Sequence, residues 1–234
     1  MCIDLATDEV KRVYRFDSTA APQGCFTNDV RVTGNHAFLT DSGLGALIVV
    51  DLDSGAVRRV LSHDRRLKAD PALELKVHGE KYLNAAGKTP QMHVNPMELS
   101  PDGKFLYFQP SGGPRLYRIE TLRLSDPVAD DESLAAAVED CGETRFTAGL
   151  TMAADGSLYY SDIESGGITR RKPDGTMTPV VIDPRIAWPD ESHLGPDGYL
   201  YFPDAQVNRI PSNSPGGKSR VEFPFRIYKV KLPE

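Results

Sequence analysis

Cysteine is scarce in this chain. Cys2, Cys25 and Cys141 are the only three in 234 residues. An odd number with no close pairing is neither a disulfide framework nor a zinc cluster, and buried or incidental thiols account for them. No apolar run approaches the ~18–20 residues that span a bilayer, and no basic-plus-apolar leader opens the sequence. Basic residues are outnumbered, 27 Lys and Arg against 33 Asp and Glu, for a net charge of −6. That balance argues against nucleic acid as the main partner. A nucleophile elbow, a Gly-rich phosphate loop and a His/Cys metal spacing are all missing. Tryptophan occurs once, at Trp188.

What the chain has is a repeat. In the stretch from His93 to Ile119, a polar opening (His93-Val94-Asn95) leads into a short apolar run and a Pro101-Asp102-Gly103 turn. Two strands follow, Phe105 to Phe108 and Leu116 to Ile119, separated by a Gly-Gly-Pro turn. Asp-Gly between apolar runs signals a hairpin, because glycine accepts the positive φ that strains other residues. The unit recurs as Asp155-Gly156 before LYYSD, as Asp197-Gly198 before LYFPD, and as Gly34-Asn35 before AFLTD. Spacings of about 40–45 residues with several short strands each are the signature of a β-propeller. The expected fold class is therefore all-β, a single propeller domain over 1–234.

Four copies are expected, Thr27 to Leu61, His93 to Leu124, Thr147 to Ile182 and Pro189 to Leu232. Residues 1–16 read as a strand pair, the outer half of a further blade. Four and a half blades close awkwardly, since an open arc exposes unpaired edges. The expectation is a six-bladed type lacking about one and a half blades at the N-terminus, with Met1 an internal methionine of a longer frame. Such a wedge would expose apolar blade faces and favour association. Two stretches, Ser62 to Gln91 and Asp126 to Thr144, read as insertions, the second with a short helix in SLAAAVED. Long loops in a compact repeat fold are either binding lids or plain inter-blade connections. Pro211 to Lys218 reads as a mobile Ser/Pro/Gly segment.

Six segments carry a family resemblance: TNDVRV (27–32), FLTDSGLGALIVVDLDSG (38–55), NPMELSPDGKFLYFQP (95–110), AGLTMAADGSLYYSD (148–162), WPDESHLGPDGYLYFPDAQVNR (188–209) and SRVEFPFRIYKVKL (219–232). In that order they resemble the major royal jelly/yellow protein family. The resemblance implies a six-bladed propeller, usually secreted, with a ligand pocket at the mouth of the central channel. Some members bind small amines, and some are linked to pigment chemistry such as dopachrome conversion. A more distant resemblance is to the gluconolactonase/senescence-marker propellers, which implies a lactone hydrolase with one divalent metal, calcium or zinc, held by Glu, Asn and Asp. Asn95 falls where those enzymes have the Asn, with Asn28 in a similar segment one blade earlier. Ala148 falls where they have the Asp, and the Glu has no counterpart.

Strand starts that face a channel mouth are Thr27-Asn28, Val94-Asn95, Thr147-Ala148 and Pro189-Asp190. Asn28, Asn95 and Asp190 thus supply oxygen ligands for a hard cation or hydrogen bonds for a polar ligand. Asn28 and Asn95 can equally cap nearby backbone. Trp188 walls the pocket or sits between blades. His93 is a further ligand contact, although it and His193 are more readily packed or exposed side chains than bases. Asp41, Asp162 and Asp204 recur after each second strand, which fits a turn role. The expected function is binding of a small polar or aromatic molecule, with isomerase-like chemistry as an extension. The competing reading is a metal-dependent lactonase with Asn95 and Asp190 among its ligands, and an interaction scaffold is a third. Oligomeric state stays open.

Overall fold

Apolar alternation and Asp-Gly turns resolve, in the computed structural model, into antiparallel sheets stacked face to face; the structure describes residues 1–232. A ribbon of β1 (Cys2–Ile3) and β2 (Val10–Arg12) comes first. Blade 1 is β3 (Thr27–Thr33), β4 (His36–Asp41), β5 (Ala46–Asp51) and β6 (Val57–Val60). The first insertion holds a two-strand clip, β7 (Lys76–Val77) and β8 (Glu80–Lys81). Blade 2 is β9 (Val94–Leu99), β10 (Phe105–Pro110), β11 (Arg115–Glu120) and, after helices α1 (Thr121–Ser125) and α2 (Asp131–Ala137), β12 (Glu139–Glu143). Blade 3 is β13 (Thr147–Met152), β14 (Leu158–Asp162), β15 (Gly167–Arg171) and β16 (Met177–Ile182). Blade 4 is β17 (His193–Leu194), β18 (Tyr199–Asp204) and β19 (Arg226–Lys231). The architecture is that of a β-propeller. The Asp-Gly turns have the expected geometry, with φ of 69°, 80° and 77° at Gly103, Gly156 and Gly198.

Strand period two builds the stack, because alternate side chains serve alternate neighbours. In β10, Leu106 and Phe108 pack with Phe38, Leu47 and Val49 of blade 1. Tyr107, between them, turns with Leu116 to Leu150, Leu158 and Tyr160 of blade 3. Tyr159 and Ile168 of blade 3 then meet Leu200 and Phe202 of blade 4. Each fully buried Leu or Phe stabilises by roughly 1.5–3 kcal/mol. The remaining face of blade 1 (Ala37, Ile48, Val50) is covered by Tyr14 and Phe16 of the segment after the ribbon.

One expectation needs correction, and two stretches gain detail. The stretch 126–144 is not wholly an insertion, because its last residues form β12, the outer strand of blade 2. Blade 4 has three strands, one fewer than blades 1 to 3, and its innermost strand is the two-residue β17 plus one bridge, Pro189 to Asp204. Proline lacks the N–H a ladder needs, which limits that strand. The segment at 211–218 forms 3-10 turns at Pro211–Asn213 and Pro215–Gly217. The expected helix is α2, whose N-cap Asp130 accepts the Ser133 N–H at 2.8 Å.

Candidate functional site at the channel mouth

The recurrent aspartates organise the turns that frame the mouth. Asp41 Oδ1 accepts the backbone N–H groups of Phe26, Gly43 and Leu44, and its Oδ2 accepts Arg59 Nη2 at 2.6 Å. Asp162 Oδ1 takes the N–H groups of Glu164 and Ser165, and Asp204 Oδ1 those of Ala187 and Trp188. Blade 2 has Pro110 at this position, and Gln109 substitutes by donating to the carbonyls of Gly113 and Arg145. The turns are thereby held, and Trp188 is fixed by its backbone.

A cavity of about 450 Å³ lies between these turns. Asn28, Asn95, Trp188 and Asp190 all line it, with Ala148 from the intervening blade. The two asparagines are equivalent in structure: Asn28 Nδ2 donates to Ser42 Oγ and Asn95 Nδ2 to Ser111 Oγ, both at 3.2 Å. Burial pushes the Asp190 carboxyl above the usual range, the charge of Asp29 adds to that, and the Glu191 N–H bond opposes it. Gly149 makes this corner possible, since a Cβ there would sit 2.6 Å from Glu191 Cα. His93 does not line the cavity. It is half-buried, and its Nδ1 accepts the Ala69 N–H at 3.0 Å.

The first insertion supplies a wall that residue-type reasoning missed. Leu75, Val77 and Tyr82 pack with Phe146, Ala148, Ile163 and Trp188, laying the insertion across blades 3 and 4. Tyr82 and Trp188 meet at 5.1 Å between ring centroids, tilted by 53°. Met92, Gln91 and Pro90, at the end of the insertion and just beyond it, also line the cavity. Tyr82 is 4% exposed and its hydroxyl has no hydrogen-bond partner among the described residues; Asn213 is near but outside bonding geometry. Burial raises the Tyr82 phenol, which stays protonated and able to donate. Only the length of the loop signalled this role in the sequence.

Deeper, on the innermost strands, Arg31 joins three blades. Its guanidinium reaches Asp29 (2.5 Å), Glu98 (2.9 Å) and Glu191 (2.6 Å). Asp29 Oδ2 also accepts the Met97 N–H. Desolvation, with the negative charge of Asp29, pushes the Glu191 carboxyl up to about 8, against the pull of Arg31. Glu191 still has 40% of its side-chain surface accessible, but the many protein atoms around the carboxylate leave it poorly solvated. Asp29 is raised by burial as well, with Arg31 opposing.

The Glu, Asn and Asp ligand set of a lactonase-type divalent ion is matched only in part at the mouth. Such a site needs three protein ligands and an open position. The mouth offers Asn28, Asn95 and Asp190, and Ala148 has no donor. Among the described residues no three His, Cys, Asp or Glu side chains group as metal ligands. The carboxylates below converge on Arg31, whose guanidinium already fills the place of a cation.

Comparison with known proteins agrees with the fold. A curated virginiamycin B lyase from Nocardia farcinica (strain IFM 10152) is 32% identical over 73 residues, 31% of this chain and 25% of that protein. A streptogramin B lyase structure superposes with a TM-score of 0.51 at 13% identity, covering 88% of this chain and 55% of the other. A gluconolactonase-like structure superposes with a TM-score of 0.51 at 18% identity, covering 80% and 58%. The chain thus spans little more than half the length of these structures and a quarter of the curated lyase. The profile described as major royal jelly protein matches residues 1–184. With its repeated blades and ordered motifs, the chain belongs to the major royal jelly protein family.

Proposed function

We propose that this propeller binds a small polar or aromatic molecule in the channel-mouth cavity. The observation that carries the reading is the buried, unpartnered Tyr82 hydroxyl beside the Trp188 ring. An unpaired buried hydroxyl costs about 1–3 kcal/mol, which a ligand acceptor would recover. Aromatic walls with a few placed polar groups are the usual make-up of a small-molecule site, and 450 Å³ suits one ring system with substituents. Asn28 and Asn95 would supply polar contacts. Proton transfer on a bound substrate, the step an isomerase needs, would fall to Asp190. Its raised carboxyl holds a proton closer to neutral pH than an ordinary aspartate does. With Ala148 where a lactonase has its Asp, the donor set favours binding over lactone hydrolysis.

Trp188 is the sole tryptophan and lies in the wall, so its fluorescence reports directly on the cavity. Titration with catechols, phenols and small amines should give a saturable change for at least one class. Tyr82→Phe and Asn95→Ala should each weaken that binding about 10-fold, the effect of one lost hydrogen bond near 1.4 kcal/mol. Folded protein that shows no saturable response to any class, or variants that bind like the parent, would remove the proposal.

A further inference from the structure

A second cavity, of about 510 Å³, lies behind the wall of the first. The first insertion closes one side of it with Val77, Tyr82 and Leu83, and the loop after β18 closes the other with Asn208, Asn213 and Arg220. The two sides are tied together, because the Ala85 N–H donates to the Ser212 carbonyl at 2.9 Å. Gln206 braces the loop from within: its Oε1 accepts the Glu222 N–H and its Nε2 donates to the Glu222 carbonyl. Tyr82 and Asn213 line both cavities, so the two chambers stand back to back. All walls of the second chamber come from residues 77–222, well inside the chain.

Hydrogen-bonding groups of both kinds stand open on these walls. Asn208 Oδ1 is buried and has no partner among the described residues. His78 is held at a φ of 50°, a costly conformation outside glycine, and its Nε2 meets the Ile186 carbonyl at 2.8 Å. A carbonyl only accepts, so the neutral ring carries its proton on Nε2 and presents Nδ1 as an acceptor. Arg220 donates from Nε to Ser214 Oγ (3.4 Å) and from Nη2 to the Asn208 carbonyl (3.0 Å). Its Nη1 donors have no acceptor among the described residues. Charge is balanced: Lys81, Arg209 and Arg220 are offset by Glu74, Glu80 and Glu222, with Lys81 on Glu74 at 2.5 Å and Arg209 on Glu222 at 3.0 Å. A ligand of either sign gains little there. What fits is a neutral molecule that donates and accepts at neighbouring atoms, and a hydroxyl does both. We propose that this chamber binds a sugar, a neutral polyol held by Asn208, His78 and Arg220. The site is separate from the mouth, whose Trp188, Phe26 and Met92 suit an aromatic ligand. Its volume lies within the range of about 300–1,000 Å³ usual for small-molecule sites.

Side-chain amide NMR signals locate such binding. The probes are glucose, galactose, mannose and their disaccharides, with glucuronate and glucosamine as charged ring analogues. At least one neutral sugar should saturate and shift the Asn208 amide signals, leaving those of Asn28 and Asn95 at the mouth unmoved. The charged analogues should bind several-fold more weakly. Asn208→Ala and Arg220→Gln should each weaken the sugar about 10-fold, the effect of one lost hydrogen bond. Arg220 is exposed, so its variant keeps the parent's backbone spectrum and remains a fair test where Asn208→Ala disturbs the loop. The proposal is overturned by a folded protein that binds none of the neutral sugars. It is overturned equally by a sugar that moves Asn28 and Asn95 instead of Asn208, by Arg220→Gln binding like the parent, or by a charged analogue binding as tightly as the neutral sugar.

Discussion

Glu191 is the residue whose ionisation is most tightly tied to the fold. Its ordinary value is 4.5, and burial beside Asp29 lifts it to about 8 in the native protein. Between those values the folded chain keeps a proton that the unfolded chain has released. Stability should therefore fall as pH rises from about 4.5 through about 8, and level off above. Asp29 and Asp190, raised by burial, tilt the low-pH end the same way. Carboxylates lowered by partners, such as Asp41 and Asp64, act oppositely and lose their contribution only below about pH 4. Glu191→Gln carries no titrating proton. Urea midpoints measured from pH 5 to pH 9 should thus decline less steeply in that variant than in the parent. Parallel slopes would show that the Arg31 cluster is ionised throughout.

Between elements, one position repeats a second task. Thr40, the residue before Asp41, donates its hydroxyl to the Asn95 carbonyl at 2.8 Å and accepts the Asp29 N–H at 3.0 Å. Ser161, before Asp162, donates to the Asp190 carbonyl, and Gln109 to that of Arg145. Each side chain thus ties a second strand to the start of the next blade. Thr40→Val keeps shape but strands two buried backbone groups, at a cost of about 1–3 kcal/mol. Thr40→Ser should lose much less, and denaturant titration of the pair separates bonding from packing. These ties were hidden in the sequence because their acceptors lie tens of residues away. Blade number, order and hairpin turns were legible because period-two alternation and Asp-Gly turns are local. Strand β12 was not, since EDCGE has poor strand formers and follows a helix; only pairing with β11 makes it a strand. At the mouth, repeat alignment placed Asn28, Asn95, Trp188 and Asp190 around one cavity. It also suggested His93, which the bond to Ala69 holds elsewhere, and it had no means of finding Tyr82 in a loop without periodicity.

Across the whole molecule, protection should follow the number of faces a blade has covered. Blades 2 and 3 have a neighbour on both sides, whereas blades 1 and 4 have another blade on one side only. The burial patterns follow: β14 is buried throughout, while β19 is largely exposed and β1 and β2 are fully exposed. In β3, Val30 and Val32 are 51% and 56% exposed, although the same strand carries Asp29 and Arg31 inward. Local opening costs least where few apolar contacts must break, so amide exchange grades with distance from the middle of the stack. In dilute protein, the amides of β13 and β14 should exchange slowest. Those of β5 should come next, and those of β19 and the ribbon fastest. Equal protection of β14 and β19 in dilute solution would mean that something other than blade stacking sets the local stability.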